Sequence, residues 1–220
     1  MLYVISTPIG NLKDISLRAI ETLDSADLIV AEDTRTAGKL LKHLEIGKKP
    51  FLSFNDHNHY KRIPGIVKAL VEGRQVALIS ERGTPCVSDP GYRLVKAAIA
   101  HSIQVVPVPG ASAAMAALVV SGLPTDSFYF AGFLPKKPGK LKSLLQAHAD
   151  TTLVCYESPH RIAKTLKLLA ELVPEWQLAI CRELTKLHES VLRGNCRSLA
   201  ESQKLPKGEF TLVLSGKAFK

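Results

Sequence analysis

The chain has 220 residues, 46% of them hydrophobic, and its 29 Lys and Arg outnumber 20 Asp and Glu for a formal charge of +9. That length admits one large domain or two of about 110 residues, either able to bury a core. No apolar run reaches the roughly 18–20 residues of a membrane span, and the basic balance favours an anionic polymer among possible partners.

In chain order, the first apolar run, residues 2–6, has no basic segment ahead of it and reads as a strand, not a signal peptide. A cytoplasmic protein is expected. Further strands are predicted at 27–32, 50–54, 75–80 and 103–108. Apolar residues fall at helical spacing in 17–23, 37–44 and 63–71, and a helix-like segment covers 92–101. Such alternation predicts a mostly parallel sheet with helices on both faces. Pro107-Val108-Pro109-Gly110 then stiffens and turns the chain, which places a domain boundary there, with domains 1–110 and 111–220. Beyond it, strands are predicted at 128–131, 152–156, 177–182, 189–192 and 210–214, and helices at 139–148, 162–172 and 198–202. The last two strands flank a short helix, so the second sheet is expected to be mixed. The fold class is therefore α/β, with two α/β domains and a cofactor cleft expected between them.

The stretch Ile79-Ser80-Glu81-Arg82-Gly83-Thr84-Pro85-Cys86-Val87-Ser88-Asp89-Pro90-Gly91-Tyr92 carries the most information. It leads from a strand into a helix through a loop far longer than the about 2–6 residues of a plain connector. Ligands of open α/β sheets sit at such strand ends. Other signatures are missing. No two glycines lie two positions apart, so G-x-G-x-x-G cannot occur, and no Gly-Lys pair completes a P-loop frame. Cys86, Cys155, Cys181 and Cys196 are scattered without zinc spacing. His57 and His59 in Asn55-Asp56-His57-Asn58-His59 form either a metal-binding pair or, more plainly, a polar loop; no metal is expected. Gly110-Ala111-Ser112-Ala113-Ala114 approximates a nucleophile elbow, with His160 and His188 as possible bases, but lacks the final glycine. The plainer reading is that these small residues allow close approach to the backbone.

Seven motifs occur in order at the predicted strand ends. They are Thr7-Pro8-Ile9-Gly10-Asn11-Leu12, Ala31-Glu32-Asp33-Thr34-Arg35, the stretch from Ser80 to Gly91, Pro109-Gly110-Ala111-Ser112-Ala113, Gly132-Phe133-Leu134-Pro135, Tyr156-Glu157-Ser158-Pro159-His160-Arg161 and Arg182-Glu183-Leu184-Thr185-Lys186. Together they resemble the tetrapyrrole-methylase superfamily, and within it the small-subunit ribosomal RNA cytidine 2′-O-ribose methyltransferases. The likeness runs from residue 2 to about 215. It implies S-adenosyl-L-methionine as cofactor, a homodimer, and ribosomal RNA or the small ribosomal subunit as partner. By the same resemblance, Pro8, Gly83, Thr84, Val87, Ser112, Ala113, Tyr156 and Leu184 surround the cofactor.

Other roles rest on residue chemistry. A ribose 2′-hydroxyl needs a base to take its proton, and Glu32 and Asp33 stand at a strand end where such a group is useful, although Asp33 also suits a helix cap. Asn11 is a candidate for positioning the ribose. Arg35, Arg161, Arg182 and Lys186 in motif loops, and Lys136, Lys137 and Lys140 in the densest basic cluster, are candidate RNA contacts. Two departures stand out. The family usually reads Asp-Ala where this chain has Glu81-Arg82, and its members often continue past the point of Lys220 with a small helical segment, whose RNA contacts are then expected to be lost or replaced. Three other readings remain open: a tetrapyrrole methylase, a non-catalytic RNA-binding module, and a hydrolase built on Ser112.

Overall fold

Asp33, Ser16 and Asn11 show how local chemistry starts the first elements. Each accepts a hydrogen bond from a backbone amide at a helix start: Asp33 from Arg35, Ser16 from Ala19 and Asn11 from Lys13. The computed structural model describes residues 1–202 and 206–217; Lys220 lies outside them. The chain divides into a first compact unit, Met1–Ser112, and a second that begins at Ala113.

In the first unit the elements alternate: β1 (Leu2–Ile5), α1 (Leu17–Ser25), β2 (Leu28–Ala31), α2 (Thr34–His43), β3 (Phe51–Ser53), α3 (His59–Val71), β4 (Val76–Ile79), α4 (Gly91–Ala100) and β5 (Val105–Val108). All five strands are parallel, in the order β3-β2-β4-β1-β5. Apart from Ser53 at the end of the edge strand β3, their residues are apolar on both faces, as a doubly covered parallel sheet requires. Ile5, Ile29 and Ile79 pack with Ala19, Leu23, Ala37 and Leu41 of α1 and α2. Leu2, Val30 and Leu78 pack with Ile66 and Leu70 of α3 and Leu94 and Ala98 of α4. β1 leads towards β2 on one side while β4 leads towards β5 on the other, so the strand order reverses between these two neighbours. A crevice at the carboxyl ends of strands is where such sheets bind ligands.

The second unit contains α5 (Ala113–Ser121), β6 (Phe128–Phe133), α6 (Pro138–Ala147), β7 (Thr152–Glu157), α7 (Ile162–Leu172), β8 (Gln177–Arg182), β9 (Ser190–Asn195), α8 (Cys196–Ser202) and β10 (Phe210–Ser215). Its sheet is mixed, in the order β6-β7-β10-β8-β9, with β6 parallel to β7 and the remaining pairs antiparallel. Period-two alternation sorts each strand. Leu153, Cys155, Leu178, Ile180, Leu212 and Leu214 form a core with Leu141 and Leu145 of α6, Ile162 and Leu166 of α7, and Cys196 at the start of α8. The alternate residues face α5, where the Cys181 thiol lies 3.9 Å from the Ala117 carbonyl oxygen.

Helix α5 departs from the sequence-based expectation, which placed no helix between 108 and 128. Its sequence, AAMAALVVS, is apolar all round, so it offers no polar face for periodicity to detect. α3 starts four residues ahead of its expected first position because the polar His59-Tyr60-Lys61-Arg62 forms its first turn.

Candidate active site

The first unit gathers its motif loops at one edge. The loop after β1 meets the loop after β4 through a pair of reciprocal backbone bonds, Thr7 N to Gly83 O at 2.9 Å and Gly83 N to Thr7 O at 3.0 Å. Gly83 holds φ at +74°, and a Cβ there would stand 3.2 Å from Ile9; a side chain at this point meets both backbone strain and its neighbour. A short relay continues from it. The Ser6 hydroxyl donates to Thr84 Oγ1 at 3.1 Å, and the Thr84 hydroxyl donates to the Ala111 carbonyl at 3.1 Å. Gly110 lies so close to Ser6 that a Cβ would approach within 3.0 Å. Thus Pro8, Gly83, Thr84 and the backbone of 110–112 are drawn together at the carboxyl ends of β1, β4 and β5. Val87 is exposed in the same loop, at 39%.

Asp89 shapes the rest of that loop. Its carboxylate accepts from the amides of Cys86 at 2.8 Å and Gly91 at 2.7 Å, closing the turn and opening α4. Burial, opposed by those two amides, pushes its pKa up. Asp89 was not among the sequence candidates, although an Asp two residues ahead of a helix start is a legible capping signal. Glu81 and Arg82 are both exposed, so the departure from Asp-Ala places two side chains outward while the loop backbone keeps its bonds.

Glu32 and Asp33, adjacent in sequence, differ in environment. Asp33 is tied into the start of α2: it accepts from the Arg35 amide at 2.8 Å and from the Arg35 guanidinium at 3.2 and 3.0 Å. Hydrogen bonds from Arg35 hold its pKa down at about 2. Glu32 is half-buried, and its pKa is raised, first by desolvation and then by the charges of Asp89, Glu81 and Asp56, against a hydrogen bond from the Glu81 amide. A carboxylate with a raised pKa retains basicity that Asp33 has lost. Asn11 is exposed in the loop after β1, where its side chain caps a short 3-10 turn, Leu12–Asp14.

In the second unit, β7 and β8 both run antiparallel to β10 and therefore parallel to each other, so Tyr156 and Leu184 emerge at the same sheet edge. Ala113 opens α5, and the next amide, that of Ala114, hydrogen-bonds the Tyr156 phenol; burial outweighs it and raises the Tyr156 pKa. Leu184 is buried between Glu183 and Thr185, which hold φ at 51° and 67°. Lys136, Lys137 and Lys140 lie exposed before and within the first turn of α6.

Three cationic candidates have internal partners. The Arg161 guanidinium lies 3.3 Å from buried Glu157 and donates to the Leu134 carbonyl at 2.9 Å, while Glu157 also accepts from the Thr165 hydroxyl at 2.6 Å. Arg182 donates to the carbonyls of Lys207 at 3.1 and 2.7 Å and of His188 at 2.9 Å. Lys186 bridges Glu183 at 3.0 Å and Glu209 at 2.7 Å. Arg161→Ala leaves the Glu157 carboxylate buried with two neutral donors, the Thr165 hydroxyl and the Ser158 amide, and without its cation, so a loss of about 3 kcal/mol of stability is expected; urea unfolding measures it, and a loss below about 1 kcal/mol would release Arg161 for an outward role.

Among the described residues, no group of three His, Cys, Asp or Glu side chains is arranged to hold a metal ion. His59 is buried with its Nδ1 3.3 Å from the Asn55 carbonyl oxygen, and His57 is exposed. Ser112 is half-buried at the end of the first unit.

Comparison with known proteins decides the family. The model for tetrapyrrole (corrin/porphyrin) methylases matches residues 1–200. This chain belongs to that family. Among its relatives, the methylase is similar to the ribosomal RNA small subunit methyltransferase I of Halalkalibacterium halodurans, 46% identical over 219 residues that cover 98% of this chain and 75% of the relative. It is similar to the protein of the same name from Synechocystis sp., 47% identical over 221 residues covering 98% and 79%. Its fold matches uroporphyrin-III C-methyl transferase of Thermus thermophilus complexed with S-adenyl homocysteine, with a TM-score of 0.67 at 17% identity over 97% of this chain and 96% of that one.

The residues of the methylase fit S-adenosylmethionine. That cofactor presents an adenine, ribose hydroxyls, a zwitterionic amino acid and a sulfonium. Gly83 and Gly110 leave no room for side chains and bring backbone to the edge where it is needed. The hydroxyl of Thr7, 3% exposed, is buried without a hydrogen-bond partner among the described residues, a polar group that a ligand would satisfy.

Proposed function

We propose that this methylase transfers a methyl group from S-adenosylmethionine to the 2′-hydroxyl of a cytidine ribose in small-subunit ribosomal RNA. The observation that carries the reading is the contrast at the end of β2, where Asp33 is neutralised by Arg35 and Glu32 keeps a raised pKa. S-adenosylmethionine supplies an activated methyl on a sulfonium. Glu32 would take the proton of the 2′-hydroxyl as its oxygen displaces the methyl carbon from the sulfonium, the carbon–sulfur bond breaking to leave S-adenosylhomocysteine. Asn11 orients the ribose, and the backbone around Gly83, Thr84 and Ser112, with Pro8 and Val87, holds the donor. Ala113, Tyr156 and Leu184 are carried as donor contacts by the family resemblance alone. Asp33 fixes Arg35, whose guanidinium is exposed and contacts phosphate in bidentate fashion. The relatives named as ribosomal RNA methyltransferases and the charge of +9 support RNA over a macrocycle.

The working form is a homodimer in the cytoplasm. Supporting the dimer, α5 buries one side and leaves Met115, Val119 and Val120 exposed at 46%, 70% and 39%, more apolar surface than a solvated helix carries. No helix among the described residues is long and apolar enough to cross a membrane.

The test uses labelled S-adenosylmethionine with naked ribosomal RNA and with small subunits. Label on a cytidine ribose, with alkali resistance at the following link, is expected, because a methylated 2′-oxygen no longer attacks the adjacent phosphate. Label on a base, or on a tetrapyrrole alone, refutes the reading. In a salt titration of RNA binding, each of Lys136→Ala, Lys137→Ala and Lys140→Ala that removes a phosphate contact lowers the slope of log K against log salt by about one.

A further inference from the structure

At the same edge of the first unit, beside the loops already described, stand two tyrosines and an arginine that the proposed chemistry does not use. Tyr60 belongs to the first turn of α3 and Tyr92 and Arg93 to the first turn of α4, two helices on one face of the sheet. The Arg93 guanidinium carbon lies 5.3 Å from the Tyr60 ring centre and 5.1 Å from that of Tyr92, and Arg93 Nη1 donates to the Tyr60 hydroxyl at 2.9 Å. Both rings are nonetheless exposed, Tyr60 at 71% and Tyr92 at 51%. Behind Tyr60, the His59 ring packs 3.9 Å away, centre to centre, and reaches Phe54. Arg93 Nε is buried without a hydrogen-bond partner among the described residues.

This is a braced pair of aromatic faces about one cation. The bracing removes much of the entropy that two free tyrosine side chains would lose on binding. More positive charge adjoins it. Lys61 and Arg62 follow Tyr60, and Lys96 lies one turn along α4 from Tyr92, all exposed. Aromatic faces with interleaved cations are what a protein offers to an unpaired nucleic-acid strand, since every base has a face to stack and every phosphate a charge to pair. The patch also adjoins the proposed chemistry: Asp56, four residues before Tyr60, is among the charges that act on Glu32.

We infer that Tyr60, Arg93 and Tyr92 form a stacking platform for unpaired RNA nucleotides that flank the methylated residue. This inference rests on the proposed RNA substrate and adds a contact that orients the strand. The carboxylates around Glu32 repel phosphate, so the strand runs its backbone along Arg93, Lys61, Arg62 and Lys96 and turns a ribose hydroxyl towards Glu32.

The experiment measures anisotropy of a fluorescein-labelled, single-stranded RNA 12-mer of mixed sequence on the full chain with S-adenosylhomocysteine present. Tyr60→Ala and Tyr92→Ala are each expected to weaken binding about tenfold, and Tyr92→Trp, which keeps a stacking face, to stay within about twofold of the parent. S-adenosylhomocysteine affinity by calorimetry and the melting temperature should stay unchanged, which separates a lost RNA contact from a lost fold. If both alanine variants bind the 12-mer as the parent does while the parent still methylates ribosomal RNA, the platform is refuted and the proposed function stands. If the parent methylates no RNA, the proposed function itself fails. Displacement of the 12-mer by a porphyrin carboxylate that also loses affinity on Tyr92→Ala would assign the patch to a macrocycle and overturn the inference.

Discussion

Glu32→Gln is expected to lower the methyl-transfer rate by about 100- to 10,000-fold, the range for a lost general base, while S-adenosylhomocysteine binds with its parent affinity. Gln keeps the shape and loses the proton acceptor, so binding and turnover separate. Single-turnover transfer of labelled methyl, read beside calorimetry, checks both. Unchanged turnover would return the base to another group. The pH profile follows from the same environment. Desolvation, then Asp89, Glu81 and Asp56, raises the Glu32 pKa above its ordinary 4.5, so the rate should fall on the acid side at a pH above that value. Glu81→Gln removes one of the opposing charges and should move this limb to lower pH. The stability linkage has the opposite sense to that of an ordinary ion-paired acid. Because the folded-state pKa is raised, the contribution of Glu32 is complete below 4.5 and is lost as pH climbs through the raised value. Asp33, held at about 2 against its usual 3.8, contributes above 3.8 and loses that contribution as pH falls towards 2.

Ser112→Leu should abolish cofactor binding, weakening it at least about 100-fold, without a loss of fold. The backbone just before Ser112 has nowhere to retreat. Gly110 rests against Ser6, and the Ala111 carbonyl accepts from Thr84, so three added carbon atoms must occupy the space in which we place the donor. Calorimetry with S-adenosylhomocysteine and a thermal melt of the same sample distinguish the outcomes. Normal binding would remove this stretch from the donor site. Ser112→Ala should leave binding nearly intact, and a hydrolytic activity that disappears in that variant would revive the reading of Ser112 as a nucleophile.

Much of this molecule is legible in its sequence because the signals are local. The parallel first sheet follows from alternation of short apolar runs with amphipathic helices, and the mixed second sheet from the two last strand-like runs that flank a short helix. The long loop from Ser80 to Pro90 marks a strand end at which the structure gathers turns, caps and close contacts. What stays hidden depends on tertiary neighbours. α5 has no polar face. Glu32 and Asp33 look alike in sequence, and only the placement of Arg35 and of the acidic neighbours tells them apart. Arg161, Arg182 and Lys186 read as free cations until Glu157, Lys207, Glu183 and Glu209 appear beside them. Tyr60 and Tyr92 lie thirty-two positions apart, a separation no periodicity connects, and meet only through Arg93.

The strand order of the second sheet bears on how the protein is made. β10 pairs with β7 on one side and β8 on the other, yet it is synthesised after both. A growing chain that has already delivered β7 and β8 therefore presents two inner strands with unpaired edges, and it keeps them until residues 210–215 arrive. The first unit has a wait of its own, since β4 inserts between β1 and β2, but that wait ends at residue 79, and β5, its last strand, adds at an edge of a sheet whose other members are already in hand. Synthesis thus leaves one half of the protein complete while the other stays open to wrong pairing. A chaperone that guards nascent strands should raise the yield of the second unit more than that of the first.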